Sequence, residues 1–191
     1  ASKFYDEIAV IWIDAHGDIN THETSPTGNV HGMPLAAAMG LGFEELIDLY
    51  NKGCKVKPEN IFIIGARDLD LGEKELIKKH NLTVFSTEDV QQIGVERIME
   101  IVNSKLVERG IKAVHLSFDI DCLDSNYVPG TGTPVREGMN VVEVKYILKY
   151  LMETKLVKSM DFVELNPLLD KGDTTADLCI DLLSWTFGFL K

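Results

Sequence analysis

The chain has 191 residues, 45% of them apolar and 26% charged, with a formal net charge of −11. That length suits a single domain spanning residues 1–191, and the composition supports a buried core rather than a disordered chain. The acidic balance excludes nonspecific nucleic-acid binding, which needs a basic face, and suits a cationic substrate or bound metal ions. Cys54, Cys122 and Cys179 form no C-x-x-C pair, as expected of a reduced, cytoplasmic protein without a disulfide framework. No apolar stretch approaches the ~18 residues of a membrane span, and no signal peptide is visible. Ala1 reads as a processed or cut end rather than a native start.

In chain order, Ile8 to Asp14 is expected to be a strand, continuous and β-branched. Phe43, Leu46, Ile47 and Tyr50 fall at helical spacing. Pro58 precedes a second strand, Ile61 to Ile64. Gly72 to His80 reads as a helix and Leu82 to Phe85 as a third strand. Ser86 and Asp89 have capping-box spacing at the start of a short helix. Val95, Ile98, Met99, Val102 and Leu106 form an amphipathic helix, and Ala113 to Phe118 a fourth strand, followed by the loop YVPGTGTPVREG. Val144, Ile147, Leu148 and Leu151 mark another helix, and Met160 to Leu165 a fifth strand. Thr174 to Phe189 is a closing helix, with Thr174 and Asp177 at capping-box spacing. Strands alternate with helices, and four of the five strands are short unbroken apolar runs. This is the signature of an α/β fold with a parallel sheet covered by helices on both faces.

Open parallel sheets bind ligands at the carboxyl ends of their strands, and the polar residues gather there. Asp14 closes the first strand, Arg67 and Asp68 follow the second, Asp119 closes the fourth and Glu164 lies at the end of the fifth. Residues two apart on a strand share a face, so an extended chain would aim Asp14, His16 and Asp18 together, and Asp119 with Asp121. Four carboxylates and one imidazole at one rim repel unless cations neutralise them. Oxygen-rich ligation with one or two imidazoles favours a hard or borderline ion such as Mn²⁺. The run PGTGTP is a tight turn rather than a phosphate loop, because no Gly-Lys-Ser/Thr follows. Cys122 reads as a small buried side chain, and His22, His80 and His115 as surface or packing residues. Asp68 and Asp70 stand out from a solvated loop face only by their rim position.

The segments DAHGDINTHETSPTGNVHGMP and SFDIDCLDSNYVPGTGTP, with GARDLDLGE and DFVELNP in the same order, resemble the ureohydrolase family, and within it the arginases. The resemblance covers essentially the whole chain. It implies a three-layer α/β/α sandwich with a mostly parallel sheet and a binuclear Mn²⁺ centre. It also implies hydrolysis of L-arginine to L-ornithine and urea by a metal-bridging hydroxide. By motif, Asp14 and Asp119 resemble the bridging carboxylates, Asp18 completes one shell, and His16 and Asp121 complete the other. Asp18 would also hold and relay a proton, His31 would shuttle protons at the mouth, and Glu164 would pair with the guanidinium beside Thr133. Asn20, Thr27 and Asn29 belong to the segment that holds the α-carboxylate. Asp70, with Glu73 acting through water, resembles the group near the α-amino end, and Asp68 neighbours them. Asn20 in this context favours arginase over agmatinase.

Two departures from the family pattern stand out. The upstream Gly-Gly-Asp-His segment that supplies the family's other histidine ligand is not in this sequence, so the N-terminal strands are expected to be missing and one metal to lose its imidazole. The alternative reading is therefore a truncated, catalytically weak core, or another ureohydrolase such as a formimidoylglutamase, guanidino-acid hydrolase or agmatinase. Val142-Glu143 falls where many relatives carry an Arg-Glu pair in a trimer interface; the family implies a homo-oligomer, a trimer or hexamer.

Overall fold

A computed structural model describes residues 1–190. Among these residues five segments form one sheet: β1 (Ile8–Ile13), β2 (Ile61–Ala66), β3 (Thr83–Ser86), β4 (Ala113–Asp119) and β5 (Val157–Val163). Every pairing is parallel, in the order β3-β2-β1-β4-β5. The wholly apolar β1 lies at the centre, where both faces are covered. Ala9, Ile11 and Ile13 point into one layer, and Val10 and Trp12 into the other, following the two-residue alternation of a strand.

Among the described residues seven helices flank the sheet: α1 (Pro34–Ala38), α2 (Glu44–Ile47), α3 (Leu71–His80), α4 (Thr87–Ile93), α5 (Val95–Glu108), α6 (Val141–Glu153) and α7 (Thr174–Phe187). Val90, Ile98, Leu148 and Leu182 bring α4 to α7 onto one face, against Phe62, Leu116 and Phe118. Leu35 and Leu76 bring α1 and α3 onto the other, against Val10, Ile61 and Ile63. The result is the expected three-layer α/β/α sandwich, with a sheet that is wholly rather than mostly parallel. Among the described residues no helix is long and apolar enough to cross a membrane.

Several boundaries differ from the sequence reading, each for a local reason. β5 runs from Val157 to Val163, because Glu164 leaves the extended region with φ +67°. The capping box expected at Thr174 and Asp177 does not form. Asp173 precedes the helix, and the Thr174 hydroxyl donates to the Lys171 carbonyl instead. Asp170 caps α7, accepting the Thr175 and Ala176 amides at 2.9 and 3.0 Å. The box between Ser86 and Asp89 does form, and so does one between Asn140 and Glu143 at the head of α6. The helical spacing from Phe43 to Tyr50 yields only the short α2, with Phe43 stacked on His22 at 4.1 Å between centroids.

The strand order turns back at β1. β2 and β3 extend to one side and β4 and β5 to the other, the arrangement that opens a ligand crevice at the carboxyl ends. Register places Ile13 beside Phe118 of β4. The residues that follow β1 and β4 are therefore neighbours.

Gly65 shapes this rim. It sits in β2 with φ +96°, at a register shift between Ile64 and Ala66. A Cβ there would lie 2.9 Å from Met139 Cε and 3.2 Å from the Asp14 carbonyl oxygen. Both the conformation and the close approach call for glycine. Gly65→Ala is expected to destabilise the fold by ~1–3 kcal/mol, read as a lower urea midpoint with an unchanged slope.

Candidate metal centre and substrate cleft

Asp14 follows β1 directly and is buried. Its Oδ1 accepts the His16 amide at 2.7 Å, and its Oδ2 accepts Trp12 Nε1 at 2.9 Å. A carboxylate that bonds the amide two residues ahead turns the chain. β1 therefore stops at Ile13, and the extended run expected through Asp14, His16 and Asp18 is corrected. These side chains converge through turns, and Asp18 sits at φ +51°, a region few non-glycine residues adopt. The same correction holds on β4. Asp119 ends the strand and Asp121 lies in a 3-10 turn, Ile120–Cys122, its amide donating to Asp119 Oδ1 at 2.8 Å. The two loops are tied together, since the Ala15 amide donates to Asp121 Oδ1 at 3.2 Å.

His16 Nδ1 lies 3.3 Å from Asp14 Oδ1 and 3.2 Å from Asp121 Oδ2. One ligand atom from each of Asp14, His16 and Asp121 lies within 4.8 Å of the others. Burial, and then the charge of Asp14, push Asp18 up to about 9. Burial with the charges of Asp14 and Asp121 pushes Asp119 to about 10, and burial raises Asp14 to about 6. For Asp121 burial acts upward too, but the bond and charge of His16 outweigh it and hold the carboxyl below its usual value. Burial disfavours the His16 imidazolium, yet its bonds to Asp121 and Asp14 prevail and raise it to about 11. These carboxylates thus keep protons, or a protonated imidazole, among them; a divalent cation answers the same demand. Carboxylate oxygens with an imidazole nitrogen fit a hard or borderline ion.

A cavity of about 220 Å³ opens at this rim. His16, Asp18, Asp119, Thr133 and Glu164 line it at the metal-type cluster; Asn20, Thr27, Asn29 and His31 line it from the loop after β1; and Asp68, Asp70 and Glu73 line it from the segment after β2. Of the residues given a metal, catalytic or substrate role from the sequence, Asp14 and Asp121 lie outside this lining. They are the buried partners of His16. Thr133 Oγ1 donates to Asp121 Oδ2 at 3.1 Å. Asn20 Nδ2 donates to Asp70 Oδ2 at 2.9 Å, while its Oδ1 accepts the Thr24 hydroxyl at 2.9 Å. Glu73 is buried and closes a capping box at the head of α3, accepting the Asp70 amide at 2.9 Å and the Ile19 amide at 3.3 Å. His31 stands exposed on a 3-10 turn, Val30–Gly32.

Three residues without an assigned role in the sequence reading also shape this site. Trp12 shares the strand face of Asp14 by two-residue spacing, a signal that was available. Thr24, which sets the Asn20 amide, lies in an irregular loop with no periodicity to reveal it. Arg67 was marked only by position. Outside the cavity, His115 Nδ1 lies 2.9 Å from Ser159 Oγ, and Cys122 is buried with its thiol pushed well up by desolvation.

The fold and the site together define an α/β/α protein with an acidic, cation-demanding crevice where its strand order turns. The profile of the Arginase family matches residues 1–188, and the chain belongs to that family. It is 44% identical to an arginase of Staphylococcus aureus over 187 residues, covering 98% of this chain and 61% of that protein. The solved arginase of Bacillus caldovelox superposes with a TM-score of 0.95 at 42% identity, covering 98% of this chain and 62% of that one. The arginase structure from Bacillus subtilis gives 0.94 at 42% identity, covering 98% and 65%. The chain thus spans somewhat under two thirds of the length of the relatives it matches.

The titrations set a pH dependence. As pH rises above 3.8, carboxylates of the unfolded chain ionise, while Asp18 and Asp119 stay protonated to about 9 and 10. His16, raised from 6.5 to about 11, keeps its proton while the unfolded chain releases its own, so the stability that proton contributes is full below 6.5 and is lost progressively toward 11. Both effects lower stability as pH rises. A divalent ion bound here would displace these protons, so its stabilising effect would grow with pH. In EDTA the melting temperature is expected to fall from about pH 6 to about pH 9. The increment on adding Mn²⁺ should widen over that interval; a constant increment would contradict the assignment.

Proposed function

We propose that this protein hydrolyses the guanidinium group of L-arginine to L-ornithine and urea with two Mn²⁺ ions. One observation carries the reading: through half-buried His16, a single cavity joins the cluster it forms with buried Asp14 and Asp121 to Glu164 and to the amide and carboxylate pair Asn20 and Asp70. That order matches a substrate with a cationic carbon centre at one end and an α-amino acid at the other.

Asp14, His16, Asp18, Asp119 and Asp121 would hold the metal. Bound Mn²⁺ would supply Lewis acidity that makes hydroxide available from water near neutral pH. The remaining chemistry belongs to the side chains. A guanidinium is charged at all working pH values and its carbon resists attack. Glu164 supplies the opposite charge that holds and orients it, with Thr133 beside it. Asp18 takes the proton of the attacking water and returns one to the departing amine. His31, exposed at the cavity mouth, passes protons to solvent. Asn20 already gives one N–H to Asp70; its second N–H would donate to the substrate carboxylate, together with the Thr27 hydroxyl and the Asn29 segment. Asp70 accepts the α-ammonium, and Glu73 supports it by holding the Asp70 amide. Asp68 adds negative charge on the same wall.

Urea release from L-arginine that is weak or absent with agmatine supports this reading; efficient turnover of agmatine would refute the substrate assignment. Glu164→Gln removes one member of a charge pair, a loss of ~2–5 kcal/mol, and should lower kcat/KM for arginine by more than tenfold. Asn20→Ala removes a hydrogen bond to a charged group, ~1.5–3 kcal/mol. It should lower kcat/KM for arginine at least tenfold while leaving any residual agmatine turnover nearly unchanged.

A further inference from the structure

Arg67 makes six hydrogen bonds, and every acceptor is a main-chain carbonyl. Nε donates to Arg136 at 2.9 Å, and Nη1 to Gly65 and Cys122, both at 3.3 Å. Nη2 donates to Asp121 at 2.8 Å, Leu123 at 3.1 Å and Val135 at 2.9 Å. The guanidinium therefore joins three separate segments: the end of β2, the turn that carries Asp121, and the loop two residues beyond Thr133. A planar group with five N–H donors in fixed directions, one Nη2 N–H shared between two carbonyls, can do this; an ammonium with three donors on a flexible stem cannot. The packing leaves little slack. A Cβ on Gly138 would stand 2.6 Å from Arg67 Nη2. The clasped segments are also bonded to each other, through Met139 N to Cys122 O at 3.0 Å and Ser125 N to Val135 O at 3.2 Å.

We infer that Arg67 is a positioning residue for the metal centre: its guanidinium sets the Asp121 turn, and through the Val135 loop it sets Thr133, whose hydroxyl bonds Asp121. This rests on the reading of Asp121 as a metal ligand. Arg67 touches neither the cavity nor its occupant, and acts by holding three consecutive carbonyls, Asp121 to Leu123, in one orientation. That orientation aims the Asp121 carboxylate at His16 and the Ala15 amide.

Arg67→Lys and Arg67→Met test this, with Leu148→Ala in α6 as a control that lowers stability from the core. Mn²⁺ affinity is measured from the electron paramagnetic resonance signal of free Mn²⁺, and amide hydrogen exchange is followed over residues 120–124. Both Arg67 variants should bind Mn²⁺ at least tenfold more weakly than the parent and exchange faster over that turn, while Leu148→Ala retains parental affinity. In steady-state assays kcat should fall with little change in KM for arginine. Arg67→Lys keeps the charge and decides the matter if Arg67→Met does not fold. Parental Mn²⁺ affinity and parental exchange in Arg67→Lys would overturn the inference, as would an equal loss of affinity in Leu148→Ala. Affinity and exchange are read without turnover, so they remain informative even if arginine is not the substrate.

Discussion

Four carboxylates and an imidazole crowd the ends of two neighbouring strands, and the repulsion among those carboxylates is the constraint the surrounding structure answers. Left to burial alone, Asp18 and Asp119 would not ionise near neutrality. The protein meets part of the demand with donors: Trp12 Nε1 and the His16 amide on Asp14, the Ala15 amide and the Thr133 hydroxyl on Asp121. These bonds orient the oxygens without cancelling the charge, which leaves a site that attracts cations strongly. The sheet makes such crowding possible, because β1 and β4 are hydrogen-bonded neighbours where the strand order turns.

Much of this was legible in the sequence because it follows from periodicity. Unbroken apolar runs such as IAVIWI identify strands buried on both faces, and the spacing of Val95, Ile98, Met99 and Val102 identifies a helix. The rim residues were legible because each closes or follows a strand, though the apolar pattern of the strand before Glu164 is interrupted by Lys158, Ser159 and Asp161. What stayed hidden depends on side chains that bend the main chain. Asp14 ends its strand by accepting the His16 amide, and Asp170 rather than Thr174 caps α7, across a three-residue gap that no capping-box pattern encodes. Arg67 is the clearest case: five of its six acceptors are carbonyls more than fifty residues away in sequence, and a carbonyl carries no residue identity to read.

Asp18 and Glu164 share a further property. Both adopt positive φ, at +51° and +67°, though neither is glycine. Such conformations cost roughly 1–3 kcal/mol each and persist where the surroundings over-determine them. Leu35 N bonds the Asp18 carbonyl at 2.9 Å, and β5 ends one residue before Glu164. The two acids that would handle the proton and the guanidinium are thus presented by turns held against their local preference.

The bond between Asn20 and Asp70 reaches past its own distance. One side chain comes from the loop after β1 and the other heads α3, and in the proposed reading they meet opposite ends of the same amino-acid group. Groups that share a hydrogen bond do not contribute independently. Changing either one leaves the other with an unmatched donor or acceptor, so their effects on substrate preference will not add. Selectivity at this mouth is a property of the pair, so the effect of a change at Asn20 depends on which residue stands at position 70.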